Sequence, residues 1–118
     1  MEAYAISRFQ RGSAKKLKLV VDLIRNKDVP IALRTLTFLA KPTKEPVLKT
    51  LRSAVANAIS KAGKAKLHEG DLVVAEARVD QGPVLKRWRP APRGMATVIR
   101  RPTAHVYIRV VTKKGVEV

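Results

Sequence analysis

The chain has 118 residues, with 25 Lys+Arg against 9 Asp+Glu and a formal net charge of +16. That is the length of one ordinary domain, and 46% hydrophobic residues suffice for a modest core, while so much unbalanced positive charge points to a polyanionic partner. No apolar run is longer than Ala3–Ile6 or Leu72–Ala75, which excludes a membrane-spanning helix, and the lack of cysteine excludes a disulfide framework, a thiolate zinc site and a cysteine nucleophile. The opening MEAYAISRFQ lacks the basic start and apolar stretch of a secretory leader, so none is expected. A reducing compartment fits the missing cysteines.

Tyr4–Phe9 reads as a short strand, because Tyr, Ile and Phe suit a pleated surface. Ser13 can then cap a helix in which Leu17, Val20, Val21 and Ile24 form one apolar stripe, with Lys15, Lys16 and Lys18 off it and Asn26 as the stop. A second, shorter helix is expected from Pro30, with Ala32, Leu33, Leu36 and Ala40 as its stripe and Pro42 as its end. The third runs from a Thr43 cap to Gly63. Its Val47, Leu48, Leu51, Ala54, Val55, Ala58, Ile59 and Ala62 hold helical phase, and its alanines predict close packing on a neighbour. The run Lys61–Lys66 reads as a solvated loop. Leu72–Val79 is a strand with Val73, Ala75, Ala77 and Val79 on one face and Glu76 and Arg78 on the other. His105–Val111 alternates again, with Val106, Ile108 and Val110 inward and His105, Tyr107 and Arg109 outward. The expected fold is α+β: a small antiparallel sheet of about three strands packed with three helices, in one domain, 1–118.

Between the last two strands lies Asp80–Ala104, rich in proline and arginine and unable to be a helix interior. Val84–Trp88 and Met95–Arg100 are β-compatible arms around a Pro/Gly turn at Arg89–Gly94, so 80–104 reads as a long basic β-hairpin reaching roughly 30 Å from the body. From Gln81 to Val116 there is no acid, only Lys86, Arg87, Arg89, Arg93, Arg100, Arg101, Arg109, Lys113 and Lys114. A hairpin that repels itself and buries little is expected to be loose when free and ordered where phosphates neutralise it. Arginine pairs with phosphate bidentately and stacks on unstacked bases, and Trp88 can stack too. A second basic cluster, Arg8, Arg11, Lys15, Lys16 and Lys18, lies near the start.

Catalysis has no foothold. His68 sits beside Glu69 without a second histidine at ligand spacing, His105 begins a strand, and no phosphate-binding glycine motif occurs. Asp71, Glu76 and Asp80 read as a turn and a solvated sheet face around Arg78. Neither an enzyme, a cofactor nor a metal is expected.

Ser13-x-Lys15-Lys16-x-x-x-Val20-x-Asp22-Leu23-Ile24-Arg25, Leu51-x-Ser53-Ala54-x-Ala56-Asn57-Ala58, Val79-Asp80-x-Gly82-Pro83-x-Leu85-Lys86-Arg87 and Arg89-Pro90-x-x-Arg93-Gly94-x-Ala96, followed by Arg101 and Thr103-x-His105, resemble in order the universal large-subunit ribosomal protein L-twenty-two family. The match runs from about Ala5 to Val111. Asn26, Gln81, Pro92, Met95 and Pro102 depart from the family's usual residues. The resemblance implies a body at the outer surface of the large subunit near the exit of the nascent-chain tunnel, with a hairpin running inward along it. Carried over, Arg8, Arg11, Ser13, Lys15, Lys16, Lys18, Lys86, Arg87, Arg89, Arg93, Arg100, Arg101 and His105 would contact rRNA from several domains. Trp88, Arg89, Pro90, Ala91, Pro92, Arg93 and Gly94 would form the tip on the tunnel wall. Implied partners are large-subunit rRNA, neighbouring ribosomal proteins and the nascent polypeptide, in cytoplasmic ribosomes of bacterial type or in organellar ones. The alternative is a DNA-architectural protein with a basic β-arm and proline wedges. A membrane-active role is disfavoured, since the basic segment is broken by proline and is no amphipathic helix.

Overall fold

A computed structural model describes residues 2–63 and 67–113. Positions 64–66 of the expected Lys61–Lys66 loop, and Lys114, lie outside the described residues. The elements in order are strand β1 (Glu2–Arg11), helices α1 (Ala14–Val21), α2 (Val29–Phe38) and α3 (Lys44–Ala62), and strands β2 (Leu72–Gln81), β3 (Leu85–Pro90), β4 (Ala96–Arg101) and β5 (Thr103–Thr112). Single 3-10 turns occur at Glu69–Asp71 and Pro92–Gly94. Three strands form an antiparallel sheet in the order β1-β5-β2, and β3 and β4 form a separate antiparallel pair. This is the expected α+β fold.

One sheet face is covered by helices. Leu17, Val20 and Val21 of α1, Ala32 and Leu36 of α2, and Val47, Leu51, Ala54 and Ala58 of α3 are buried with Val106, Ile108 and Val110 of β5. The fully buried Ala54 and Ala58 bring α3 close to its neighbours, as its alanine content predicts. β5 alternates as expected. It is the central strand, so its inward valines and isoleucine sit at the middle of the core.

The body departs from the sequence expectations at several points. Ser13 has the extended backbone of a cap (φ −74, ψ 132) and Thr43 a helical one, but neither side chain makes a capping hydrogen bond. The regular part of α1 stops at Val21. Tightened turns continue it, with Leu23 N–H on Val20 O and Ile24 N–H on Val21 O at 3.1 Å each, so Ile24 is still buried. Asn26 then ends the segment in the left-handed region (φ 63), as predicted. In the second helix, Ala40 lies beyond the helical end at Phe38 and is exposed. In β2 the inward set is Leu72, Val74 and Ala77, not Val73 and Ala75. A register shift between Val74 and Glu76 inserts one residue and exchanges the two faces of the strand.

The free edge of β2 is closed by the turn before α2. Asn26 N–H donates to Val74 O (3.1 Å), Val74 N–H donates to Lys27 O (2.9 Å), and Arg25 donates to Ala77 O through Nε and Nη2. The β3–β4 pair leaves the body altogether. The Cα radius of gyration is 17.7 Å, where a compact chain of this length would have about 13.5 Å. The extents are 67 × 25 × 18 Å, and the hairpin is the long arm.

Candidate nucleic-acid interface

The outgoing arm of the hairpin reaches further toward the tip than the sequence suggests, and the ladder pairs from Leu85↔Arg101 to Pro90↔Ala96. The turn closes through Ala91 N–H on Met95 O (2.7 Å), with Arg93 (φ 64) and Gly94 (φ 73) both left-handed, a combination that glycine makes cheap at the second position. Every residue of β3 is exposed, and in β4 only Ile99 is half-buried. Alternation puts Lys86, Trp88 and Pro90 on one face, opposite Arg100, Val98 and Ala96. Lys86 therefore faces Arg100 directly, a like-charge pair that destabilises the ladder until an anion lies between them. Trp88 is 67% exposed, a free stacking surface.

At the root the two basic clusters meet. β1 pairs with β5 as far as Arg11↔Thr103, and Gly12 N–H donates to Pro102 O (3.1 Å). The helix that carries Lys15, Lys16 and Lys18 starts two residues later. Arg11 and the start of α1 thus stand beside Arg100 and Arg101, although some ninety positions separate them in the chain.

Among the described residues, charge pairing takes up four of the bases. The ion pairs use Arg25 with Asp22 (2.6 Å), Arg78 with Glu76 and Asp80 (3.1 and 3.4 Å), Arg109 with Glu2 and Glu76 (2.7 and 3.4 Å), and Lys113 with Asp28 (3.3 Å). The hydrogen bond to Glu2, seconded by Glu76, raises Arg109 above the ordinary guanidinium range. Arg109 and Lys113, counted with the acid-free segment in the sequence, are therefore occupied within the body. Among the described residues, none of Arg8, Arg11, Lys15, Lys16, Lys18, Lys86, Arg87, Arg89, Arg93, Arg100 or Arg101 forms an ion pair, and all are exposed. The sheet acids Glu2, Glu76 and Asp80 are taken up by Arg78 and Arg109, and the root and hairpin are left cationic.

The model of the family described as ribosomal protein L22p/L17e matches residues 5–111. The chain belongs to this family. A protein of Fusobacterium nucleatum is 47% identical over 110 residues, covering 93% of this chain and 96% of its own length. One of Bifidobacterium animalis subsp. lactis is 43% identical over 117 residues (98% of each chain), and one of Nostoc punctiforme 46% over 109 (92% and 90%). Each of these relatives is named large ribosomal subunit protein uL22.

The family segments around Gly82-Pro83 and Thr103-x-His105 form a lock at the hairpin root that local sequence reasoning missed. Gly82 N–H donates to Thr103 O (2.9 Å), and the Thr103 hydroxyl donates to Pro83 O (2.6 Å). A Cβ on Gly82 would lie 2.6 Å from Thr103 Oγ1 and 3.2 Å from His105 Nε2, so no side chain fits. His105, half-buried, accepts the Phe9 N–H at Nδ1 (3.1 Å) and meets the Phe9 ring edge-on at 5.0 Å, holding Phe9 at φ 57 beside the irregularity in β1. Ser13 is half-buried at the start of α1. Among the described residues, no group of His, Asp and Glu is placed to hold a metal ion.

Proposed function

We propose that this chain is a structural constituent of the large ribosomal subunit that binds large-subunit rRNA, supports assembly and lines the nascent-polypeptide exit tunnel with its hairpin. One observation carries the reading: unpaired bases run from the root along the hairpin of a 67 Å molecule, with no acid on the β3–β4 hairpin to neutralise them. Extended shape and unneutralised arginine suit threading between RNA segments, where phosphate contacts set position. Chain 1–118 acts as one unit, with 80–104 as its extension. The root bases and the hairpin bases Lys86, Arg87, Arg89, Arg93, Arg100 and Arg101 hold rRNA, with Ser13 and His105 at the same end. The tip, Trp88–Gly94, meets the tunnel space and the nascent polypeptide, and the body meets neighbouring ribosomal proteins. The family is a structural one, and no reaction is assigned. The bacterial relatives support a cytoplasmic ribosome of bacterial type. They give the DNA-architectural alternative no support.

The test separates anchoring from lining. Deleting Pro90–Pro92 removes no base, and should leave incorporation into large subunits near wild type while changing how the tunnel accommodates nascent chains or tunnel-bound small molecules. Lys15→Glu, Lys16→Glu and Lys18→Glu together reverse three charges near the root, and should abolish incorporation in competition with wild type. Loss of incorporation by the deletion with normal incorporation of the reversals would show the roles to be the other way round.

A further inference from the structure

The sheet has a second free edge, along β1, and it lies against α3. The two elements run antiparallel with matched steps: four residues of helix advance about 6 Å and two residues of strand about 6.6 Å, so every fourth residue of α3 meets every second residue of β1. Lys61 Nζ donates to Glu2 O (3.3 Å), Asn57 Nδ2 donates to Tyr4 O (3.0 Å), and Thr50 Oγ1 is hydrogen-bonded to Ser7 Oγ (2.6 Å). Ser53, between Asn57 and Thr50, lines the same surface with Ile6 and Arg8. Together they bound an open groove of about 580 Å³.

The hydrogen-bonding sense of this groove is one-sided. In an antiparallel strand the N–H and C=O of one residue point the same way, so Glu2, Tyr4 and Ile6 all direct their backbone groups to the α3 side. The carbonyls of Glu2 and Tyr4 already hold side-chain donors, whereas the Ile6 carbonyl and the amides of Tyr4 and Ile6 have no side-chain partner among the described residues. An added β-strand needs donors and acceptors in alternation, and the occupied carbonyls refuse it. What remains are the amides of Tyr4 and Ile6, the Ile6 carbonyl, the Ser53 hydroxyl, and a cation at each end, Lys61 and Arg8. The one carboxylate at the groove, Glu2, is bonded to Arg109 at 2.7 Å. A ligand that fits is long, anionic and made of acceptors.

We propose that the groove between the β1 edge and α3 is a second RNA site, which grips the phosphodiester backbone of rRNA through Ser53, Lys61, Arg8 and the edge amides of Tyr4 and Ile6. Asn57 is a positioning residue: it occupies the Tyr4 carbonyl, so that the Tyr4 amide is the backbone group left free at that position. Lys61 and Arg8 stand about 20 Å apart along the strand, room for several consecutive phosphates. Contact is to backbone, so the groove recognises no particular base. The proposal rests on the ribosomal reading above, and adds to it a face of the body that the hairpin does not reach.

Because the chain has no cysteine, Ser53→Cys creates a single thiol for a short photocrosslinker on the full-length protein. Large subunits assembled with it should give a crosslink from position 53 to rRNA. A crosslink to a neighbouring protein, or none, overturns the groove as an RNA site, and Lys61→Cys repeats the measurement from the other end if the first label blocks assembly. Arg89→Cys on the hairpin is run in parallel: if it too fails to reach rRNA, the ribosomal reading fails, and if it alone succeeds, only the groove does. As a second readout, Arg8→Ala with Lys61→Ala should weaken binding to large-subunit rRNA about tenfold and flatten its salt dependence. Unchanged affinity with a helical spectrum like that of wild type would count against the proposal.

Discussion

Replacing Lys86, Arg87 and Arg89 by alanine alters only exposed side chains without ion-pair partners among the described residues; the one local hydrogen bond it removes is Arg87 Nη1 to Lys86 O at 3.0 Å. The body should therefore unfold in denaturant as wild type does, and the effect should appear in RNA binding alone. Each phosphate neutralised contributes about 0.7–0.9 to the slope of log affinity against log salt, so taking away three phosphate-binding bases should flatten that slope by roughly 2–2.7 units. Between 50 and 200 mM salt this corresponds to roughly 16- to 40-fold less loss of affinity than wild type suffers. The absolute affinity falls most at low salt, where wild type gains most from counterion release. The free hairpin should gain order at the same time, because removing Lys86 removes the repulsion from Arg100 across the ladder. The assay is filter binding or titration with large-subunit rRNA at four or five salt concentrations. A slope unchanged within error would mean that the outgoing arm touches no phosphate, and the charge argument for the hairpin would fall.

In the free protein, amide exchange should protect Leu48–Ile59 and leave Lys86–Met95 unprotected, since α3 is packed in the core and the hairpin has neither core nor counter-charge; full protection of the hairpin without RNA would contradict this. Gly82→Ala should lower stability by about 1–3 kcal/mol in urea titration, because its Cβ would press on the Thr103 hydroxyl, and it should detach the hairpin root from the body. Leu51→Ala, at a fully buried position of α3, should cost about 2–5 kcal/mol by the same measurement without altering the salt slope of whatever folded fraction remains.

Legibility in the sequence followed how local each determinant is. α3 and β5 carry an unbroken period along their own length, and both form as that period predicts. β2 opens on Leu72-Val73-Val74-Ala75, apolar on both faces, so alternation had no contrast from which to read a phase, and the inserted residue at Ala75 exchanges the faces without any composition signal. The caps failed for a different reason: Ser and Thr permit a side-chain bond at a helix start, and only the tertiary setting decides whether it forms. For the site, the cationic hairpin was visible because a stretch without acids cannot neutralise itself. The neutralisation of Arg109 was invisible, since its partner Glu2 lies 107 positions away on a strand that only the fold brings alongside. The root lock has the same character. Gly82 reads locally as a turn glycine, and the need for it comes from Thr103 and His105, which return only after the hairpin has run out and back.

The shape of the molecule and its charge answer each other. Sixteen excess positive charges confined to a compact body of this size would sit mostly within one another's field. Lys86, Arg87, Arg89, Arg93, Arg100 and Arg101 lie instead on the hairpin of a molecule 67 Å long, and at physiological salt interactions between exposed charges fade beyond about 8 Å. The tip and the far side of the body hardly feel one another, and the free protein tolerates its charge by being long. The root is where this relief is least. There Arg11 and the start of α1 stand beside Arg100 and Arg101, with the acids of the neighbouring sheet already committed to Arg78 and Arg109. Positive charge is therefore concentrated where the hairpin leaves the body, which favours polyanion attraction there. RNA that meets the root first lies next to the Lys86–Arg100 pair, the place where an intervening phosphate removes a repulsion as well as forming ion pairs of its own. If the proposed rRNA contacts are made, binding at the root favours order in the arm beyond it, and docking of the body and ordering of the hairpin are then successive parts of one process.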